Sequence, residues 1–305
     1  MTKGKRATTI EELEALFESS WPSDDENKPP TYHPRPTDVI ITPHAKSGTT
    51  WLQQIAHGLR TRGSMNFGEI TEVVPWIGVV HHFGWNINAE QVAEPRLFKS
   101  HATWERLPRG ARYVVAYRHP YDVFVSQYRF EEGWFFEPNT ISLAEYCHWY
   151  LSEAKGNQPY YFTHLLSWWA QRDNENVLLL CYEDMKADLS GVIRQMAHFM
   201  RIELDAELFE IVHRQSSREF MLTHKSHFDD RHVRRLTEEG AGLPPGDSHK
   251  VTQGDVDDGR YLLPDETKKV LDELWQKHIG AELGFANYES LRQASQNNRE
   301  QFSSR

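Results

Sequence analysis

The residues with the clearest chemical potential lie at positions 46–50, where the sequence reads Lys-Ser-Gly-Thr-Thr. A short apolar stretch precedes them at 38–42, and a helix is predicted to begin near Trp51. A tight loop between a strand and a helix can bind anions, because backbone N–H groups and the helix dipole both present positive charge. The lysine precedes the glycine, so this is not the ATP-type P-loop. The pattern favours a phosphate-binding loop, although a plain turn with a threonine N-cap remains the alternative.

Two further stretches rich in strand-forming residues also end in polar side chains. Residues 96–101 end in His101, and residues 112–118 end in Arg118. A fourth strand is predicted at 177–182, where a continuous apolar run is typical of a strand buried on both faces. Strands that alternate with helices predict an α/β fold, here a single domain with a central parallel sheet flanked by helices. Lys46, His101 and Arg118 should then converge, since ligands bind at the carboxyl ends of such strands.

The sequence predicts three segments around this core. An N-terminal helix and an exposed connector occupy 1–37, the main domain occupies 38–293, and 294–305 is predicted to be a disordered tail. Within the main domain, residues 223–260 are polar and rich in glycine and proline, which predicts a long, mobile loop that could act as a lid.

Composition narrows the class of protein. The chain has 305 residues, a net charge of −10 and 39% hydrophobic residues. These values predict a soluble globular protein and disfavour general binding to nucleic acid or to an anionic membrane. The chain has only two cysteines, no apolar run long enough to span a membrane and no signal peptide. We therefore expect a cytoplasmic protein with no stable membrane insertion.

Four motifs, in order along residues 38–190, resemble those of the sulfotransferases that use 3′-phosphoadenosine 5′-phosphosulfate (PAPS). Residues 46–51 are similar to the loop that binds the 5′-phosphosulfate. Residues 99–101, Lys-Ser-His, resemble the strand that carries the catalytic histidine. Residues 117–126 resemble the 3′-phosphate motif, in which an arginine and a serine lie eight positions apart, and residues 182–186 resemble a tyrosine-acid-acid segment. Together with the strand before it and the helix after it, the loop thus resembles the P-loop-like element that binds the phosphosulfate in this family.

The resemblance implies a catalytic role for three residues. His101 would be the general base, which suits an imidazole that is neutral near pH 7. Lys46 would stabilise the departing phosphate oxygen, and Lys99 would help to hold the sulfuryl group. Without the motifs, each would be read as an ordinary polar or surface residue.

The resemblance also places donor-binding residues along the chain. Arg118 and Ser126 would clamp the 3′-phosphate, while Trp51 and Tyr182 would contact the adenine. The 5′-phosphate would be held by Ser47, Gly48, Thr49 and Thr50. The expected donor is PAPS and the expected product is 3′,5′-ADP (PAP).

The C-terminal third departs from the family pattern. The family has Arg-Lys-Gly where this chain has a histidine, Lys250 and a valine, so only Lys250 matches. The resemblance places Ser217 at the donor, and Arg218 replaces an aromatic residue that stacks on adenine. The family's dimer motif is not preserved at 257–266, so the oligomeric state is left open between a monomer and a dimer of another kind.

Aromatic residues predict an acceptor site for a small apolar or aromatic molecule. An alcohol, phenol, sterol or glycolipid would suit it. The strongest candidates are Trp76, Phe83, Trp134 and Phe135. Further candidates are His81, His82, Trp85, Phe136, Trp149 and Tyr150.

No metal is expected, because lysine and backbone donors can meet the charge of the donor. The histidines at 224, 227 and 232 lie near two aspartates, but such clusters in polar loops are usually solvated. Two alternative functions remain open at this stage. One is an ATP-dependent small-molecule kinase, and the other is a non-catalytic bisphosphate-binding protein.

Overall fold

A four-stranded parallel sheet forms the centre of the fold. The computed structural model describes residues 4–20, 32–151, 160–246, 250–251 and 259–303. The strands are β1 (Val39–Ile41), β2 (Leu97–Lys99), β3 (Arg112–Tyr117) and β4 (Val177–Cys181), in the order β2-β1-β3-β4. All three pairings are parallel, and Ile41 lies opposite both Lys99 and Val114. The predicted α/β architecture is therefore confirmed.

Helices surround the sheet and connect its strands. Before β3 the chain forms α1 (Ile10–Ser20), α2 (Thr49–Thr61) and α3 (Ile70–Val73). Between β3 and β4 lie α4 (Pro120–Glu131), α5 (Leu143–Tyr150) and α6 (Tyr160–Trp169). After β4 the helices are α7 (Tyr182–Ala187), α8 (Leu189–Met200), α9 (Ala206–Gln215), α10 (Arg218–Thr223), α11 (Arg231–Ala241), α12 (Gly259–Leu262), α13 (Asp265–Trp275), α14 (Ala281–Leu283) and α15 (Tyr288–Ser303).

Side chains alternate between two cores on the faces of the sheet. Ile40, Phe98 and Val115 point into a core shared with α6. Ile41 and Val114 point into a second core shared with α2 and α8. Because both faces are covered, the strands are mostly apolar, as expected for a parallel sheet, and the charged residues Lys99 and Arg112 lie at strand ends.

A buried ion pair joins the segments that lead into β1 and β2. The Arg96 guanidinium donates to both carboxylate oxygens of Asp38, at 2.9 and 2.6 Å. The hydroxyl of Tyr32 donates to the same carboxylate at 2.7 Å. Both charged side chains are almost completely buried. The pair therefore fixes the start of β1 beside the start of β2, at the edge of the sheet opposite the predicted site.

The predicted loop at 223–260 contains helix α11, so that prediction was wrong for this part. The helix buries Val233 and Thr237, four positions apart, and ends at Gly242, whose backbone is left-handed. The helix is difficult to predict because most of its other residues are charged, so its buried face is narrow. Residues 247–249 and 252–258 of the predicted loop lie outside the described residues.

The terminal segments are described in part. Helix α15 runs through Ser303 and so includes residues 294–303 of the predicted tail, and the division of the chain into three segments stays a prediction. The helix buries Leu291 and Ser295, and Arg292 pairs with Asp184 at 2.8 Å. Of the connector predicted within 1–37, residues 21–31 lie outside the described residues. In the part of the chain described, no helix is both long and apolar enough to cross a membrane.

Candidate active site

The carboxyl ends of the strands open into a cavity of about 730 Å³. Lys46, His101, Arg118 and Tyr182 all line it, each just after one of the four strands. The convergence that the sheet topology predicts is therefore present. The cavity is also lined by most of the other predicted site residues: Gly48, Thr49, Thr50, Trp51, Trp76, Lys99, Ser126, Trp134, Phe135 and Lys250.

The loop between β1 and α2 has a backbone that requires glycine at position 48. Gly48 has φ +92°, and a Cβ placed there would lie 2.9 Å from the ring of Tyr182. The backbone of Lys46 also has a left-handed conformation, with φ +65°. Its carbonyl oxygen accepts a hydrogen bond from Arg118 Nη1 at 2.8 Å. Arg118, which follows β3, thus fixes the position of the loop. Helix α2 begins directly after Gly48, and the N–H groups of its first turn have no partner within the helix.

Two hydroxyl groups of the loop are buried without a hydrogen-bond partner among the described residues. They are Ser47 Oγ and Thr49 Oγ1. Buried polar groups are almost always paired, so an unpaired hydroxyl beside a helix N-terminus is a feature expected of an anion site. Thr49 lines the cavity, but Ser47 is completely buried beneath the loop and does not.

Several cationic side chains line the cavity, among them Lys46, Lys99, Arg118 and Lys250. Burial lowers the pKa of Lys46 well below its usual value, and the nearby charges of Lys250 and Arg118 lower it further. The Lys46 ammonium lies 3.9 Å from the ring centre of Phe130. An anion in this space would relieve the repulsion among the four cations.

A buried carboxylate, which was not predicted, lies among these cations. Asp230 Oδ2 is 3.2 Å from Lys99 Nζ and also pairs with Lys250 Nζ. Burial alone would raise the pKa of Asp230, but Lys250 and Lys99 hold it below its usual value. The pKa of Lys99 is lowered to about 8, chiefly by burial, and Asp230 opposes that shift. The expectation that Asp230 belongs to a solvated loop was therefore wrong.

His101 has its ring orientation fixed by a backbone carbonyl. Its Nδ1 lies 2.8 Å from the carbonyl oxygen of Pro43, which can only accept, so Nδ1 carries the proton. Nε2 is then the basic nitrogen of the neutral ring. Burial lowers the pKa of His101 well below its usual value, and the charge of Lys99 adds to this shift. The imidazole is therefore neutral at physiological pH.

The predicted adenine-contacting residues lie together. Trp51 Nε1 donates to the carbonyl of Ser216 at 2.7 Å, and the Trp51 and Tyr182 rings meet edge to face at 5.8 Å. Arg218 lines the cavity, but Ser217 does not. Ser217 instead caps α10, where its hydroxyl accepts from Phe220 N at 3.2 Å. The assignment of Ser217 to the donor site is not supported by its position.

Aromatic residues also line the cavity. Trp76 lies edge to face with His101, with ring centres 5.3 Å apart. Trp134 and Phe135 stack at 4.7 Å, and Trp134 Nε1 donates to Thr237 Oγ1 at 3.1 Å. Trp149 and Tyr150 also line the cavity.

Phe83 does not line the cavity, so the structure does not bring it together with the other predicted acceptor residues. It packs against Trp85 and His232 instead, because the short 3₁₀ turn Val80–Phe83 directs it away. Of the further candidates, those away from the cavity are His81, His82, Trp85 and Phe136.

Several lining residues were missed by the sequence analysis. They are Phe17, His44, Phe130, Glu131, Tyr160 and Asp230. Phe130 lies four positions after Ser126, so helical spacing could have indicated it. Phe17 is on the apolar face of α1, but nothing in the sequence shows that α1 packs over the cavity.

The three histidines near Asp229 and Asp230 each bond to a different group. His224 Nδ1 bonds to Phe220 O and His227 Nδ1 to Phe67 O, both at 2.9 Å. His232 Nε2 contacts Glu72 at 2.8 Å. Among the residues that the structure describes, no group of three or more His, Cys, Asp or Glu side chains is arranged to hold a metal ion.

Comparison with known proteins identifies the family. A family model described as the sulfotransferase domain matches residues 36–282, most of the chain. The chain belongs to the sulfotransferase family. This confirms the resemblance to the sulfotransferases and identifies an enzyme that is a sulfotransferase rather than a kinase.

Individual relatives agree with the family assignment. The sulfotransferase is 31% identical to sulfotransferase 2A1 of Macaca fascicularis over 198 residues, which is 62% of this chain and 67% of that protein. It is 25% identical to an amine sulfotransferase of Oryctolagus cuniculus over 254 residues, 80% of this chain and 81% of that protein.

Solved structures share the fold. A retinol dehydratase in complex with androsterone and the inactive cofactor PAP has a TM-score of 0.67 and 17% identity, covering 89% of this chain and 94% of its own. A mouse sulfotransferase complexed with PAP has a TM-score of 0.64 and 20% identity, covering 85% of this chain and 91% of its own. At these identities the similarity concerns the fold alone.

Proposed function

We propose that this sulfotransferase transfers a sulfuryl group from PAPS to a hydroxyl of a small apolar or aromatic acceptor. The observation that carries the proposal is the set of side chains in the cavity: cations around the loop after β1, aromatic rings in much of the remaining lining, and neutral His101 in contact with Trp76. A charged donor and an apolar acceptor would each find matching side chains there.

The cationic side chains fit a nucleotide with phosphates at its 3′ and 5′ ends. The 5′-phosphate would be bound by Lys46 and the start of α2, where Thr49, which lines the cavity, has a buried hydroxyl without a partner among the described residues. The 3′-phosphate would be bound by Arg118 and Ser126, because an arginine fork matches phosphate geometry. PAPS, when bound, supplies the activated sulfuryl group.

The remaining donor contacts come from the aromatic wall and from the C-terminal segment. Trp51 and Tyr182 would contact the adenine, and Lys250 would add charge at the phosphates. Arg218 also lines the cavity, and a guanidinium plane can stack on a base.

His101 acts as the general base in this proposal. Its Nε2 is the basic nitrogen, because Nδ1 is committed to Pro43 O. Nε2 accepts the proton of the acceptor hydroxyl as the oxygen–sulfur bond forms, and Lys46 stabilises the negative charge that develops on the departing phosphate. Lys99 neutralises charge on the sulfuryl oxygens from the end of β2.

The aromatic side chains support a flat or apolar acceptor. Trp76, Trp134 and Phe135 line the cavity as buried aromatic side chains with few polar atoms. Named relatives include a 3-beta-hydroxysteroid sulfotransferase of Cavia porcellus, 29% identical over 194 residues, and the amine sulfotransferase. Sterols and phenols are therefore the first acceptors to test, with amines as the second class.

Calorimetry with three nucleotides tests the donor assignment. We expect 3′,5′-ADP to bind more tightly than 5′-ADP, because the Arg118–Ser126 clamp engages only the 3′-phosphate. Arg118→Lys should reduce this preference, since lysine cannot present a fork. Tighter binding of ATP–Mg²⁺ than of 3′,5′-ADP would refute the donor assignment. A protein that binds 3′,5′-ADP but transfers no sulfuryl group to any phenol, sterol or amine would support a non-catalytic binding role instead.

A further inference from the structure

Asp230 places a buried negative charge inside a site that is otherwise built for anions. Its side chain is only 3% exposed, yet it lines the same cavity as Lys99 and Lys250. One carboxylate oxygen is shared by the two ammonium groups, and the other lies 3.4 Å from Thr71 Oγ1. A carboxylate here must lower the affinity of the site for a phosphate.

The carboxylate is not explained by a role in capping its helix. Asp230 is the residue before α11, but its side chain makes no capping hydrogen bond there. Instead, the backbone N–H of Arg231 donates a hydrogen bond to Asp229 Oδ1 at 3.2 Å. The backbone of Asp230 is left-handed, with φ +50°, and this turns the side chain toward the lysines rather than the helix. The local fold therefore directs the charge into the cavity.

Lys99 is held on two sides. Both carboxylate oxygens of Asp230 accept from its ammonium, at 3.5 and 3.2 Å, and the ring centre of Trp76 lies 4.0 Å from Nζ. Lys250 approaches the same carboxylate from a distant part of the chain. Asp230 thus sets the positions of two cations before any donor arrives.

We propose that Asp230 is a positioning residue that competes with the bisphosphate for Lys99 and Lys250, and so weakens product binding enough to permit turnover. This inference rests on the proposed function. Binding energy that holds product as strongly as donor does not raise the catalytic rate, and slow product release limits many enzymes. A fixed counter-charge keeps both lysines placed while lowering their net attraction for 3′,5′-ADP.

Asp230→Asn tests the proposal, because asparagine keeps the shape and tolerates a left-handed backbone. Removing one unit of negative charge beside the phosphates should tighten 3′,5′-ADP binding about tenfold. Most of this change should appear as slower dissociation, measured by stopped flow. The turnover number should fall, and a burst of product should precede the steady state. Asp229→Asn is the matched control, because it replaces an adjacent aspartate that does not line the cavity. Its affinity for 3′,5′-ADP, its dissociation rate and its turnover number should equal those of the wild type.

A double-mutant cycle with Lys250→Met shows whether Asp230 acts through its lysines. The tightening caused by Asp230→Asn should be smaller when Lys250 is absent, because one of the two competing cations has been removed. A residue with only a structural role would show the same effect in both backgrounds, and this result would overturn the proposal.

Each remaining outcome is decisive. Unchanged or weaker 3′,5′-ADP binding by Asp230→Asn overturns the inference, as does failure of both Asp230→Asn and Asp230→Ser to fold. Asparagine and serine each keep a polar group beside the two lysines, so we expect both variants to fold, as measured by circular dichroism. If the wild type itself does not prefer 3′,5′-ADP to 5′-ADP, the proposed function fails. If it does, and the variants do not bind more tightly, only this inference fails.

Discussion

Replacing Gly48 with alanine should weaken 3′,5′-ADP binding by about tenfold to a hundredfold. Position 48 has φ +92°, and the added Cβ would lie 2.9 Å from the Tyr182 ring. Left-handed backbone costs a residue with a Cβ about 1–2 kcal/mol. Crowding of a packed ring adds about 1–3 kcal/mol unless the ring moves. Movement of the ring would relieve only the crowding, so the backbone strain remains unless the loop leaves its present conformation.

The loss of affinity follows from that movement. A displaced loop would no longer direct the N–H groups after Gly48 at a phosphate, and a hydrogen bond to a charged group contributes about 1.5–3 kcal/mol. At about 1.4 kcal/mol for each factor of ten, one such bond corresponds to about tenfold and two to about a hundredfold. Calorimetric titration of 3′,5′-ADP at constant ionic strength measures the change directly.

Gly84→Ala is the matched control for this experiment. Gly84 also has a left-handed backbone, with φ +68°, but no atom lies within 4 Å of the added Cβ. Gly84→Ala introduces the same backbone strain at a position away from the cavity. Thermal stability should therefore fall while 3′,5′-ADP affinity remains unchanged. Wild-type affinity in Gly48→Ala, or equal losses of affinity in both variants, would refute the role assigned to the loop.

Four further predictions concern the base, the lysine, the acceptor wall and the sheet. Because the pKa of His101 is lowered well below its usual value, kcat/KM should stay constant as pH falls through 6.5 and decline only at lower pH; an acidic limb centred at 6.5 would contradict this. Because the pKa of Lys99 is about 8, kcat/KM should decline above pH 8 as the ammonium loses its proton; a constant rate to pH 10 would exclude this role. Thr237→Val removes the acceptor for Trp134 Nε1, so KM for a phenol should rise severalfold while 3′,5′-ADP affinity is unchanged. Asp38→Asn leaves Arg96 without its buried partner and should lower the free energy of unfolding in urea by about 3–5 kcal/mol; a loss under 1 kcal/mol would show that the pair is not needed.

The sequence predicts the residues at the strand ends well because their placement follows from general rules. Polar residues after parallel strands must meet at one edge of the sheet, and this brings Lys46, His101 and Arg118 together. The loop is also local, since its lysine, glycine and hydroxyl residues are contiguous. Ser47 is the exception, because the turn buries its hydroxyl beneath the loop and not at the cavity surface.

What was missed depends on contacts between distant segments. Asp230 lies in a polar stretch that indicates solvent exposure, and its burial results from lysines 131 and 20 positions away. Phe83 and Ser217 were assigned from residue type and neighbouring sequence, yet short turns direct Phe83 away from the cavity and place Ser217 at a helix cap. No periodic pattern in the sequence shows these orientations.

The most direct test of the account is transfer of labelled sulfate from PAPS to phenols and sterols by the wild type and by His101→Gln. The variant should bind 3′,5′-ADP as the wild type does, while its rate of transfer falls by at least about a hundredfold, since a positioned base typically contributes about 10²–10⁴. Transfer by His101→Gln at a rate close to that of the wild type would contradict the central claim that His101 removes the acceptor proton.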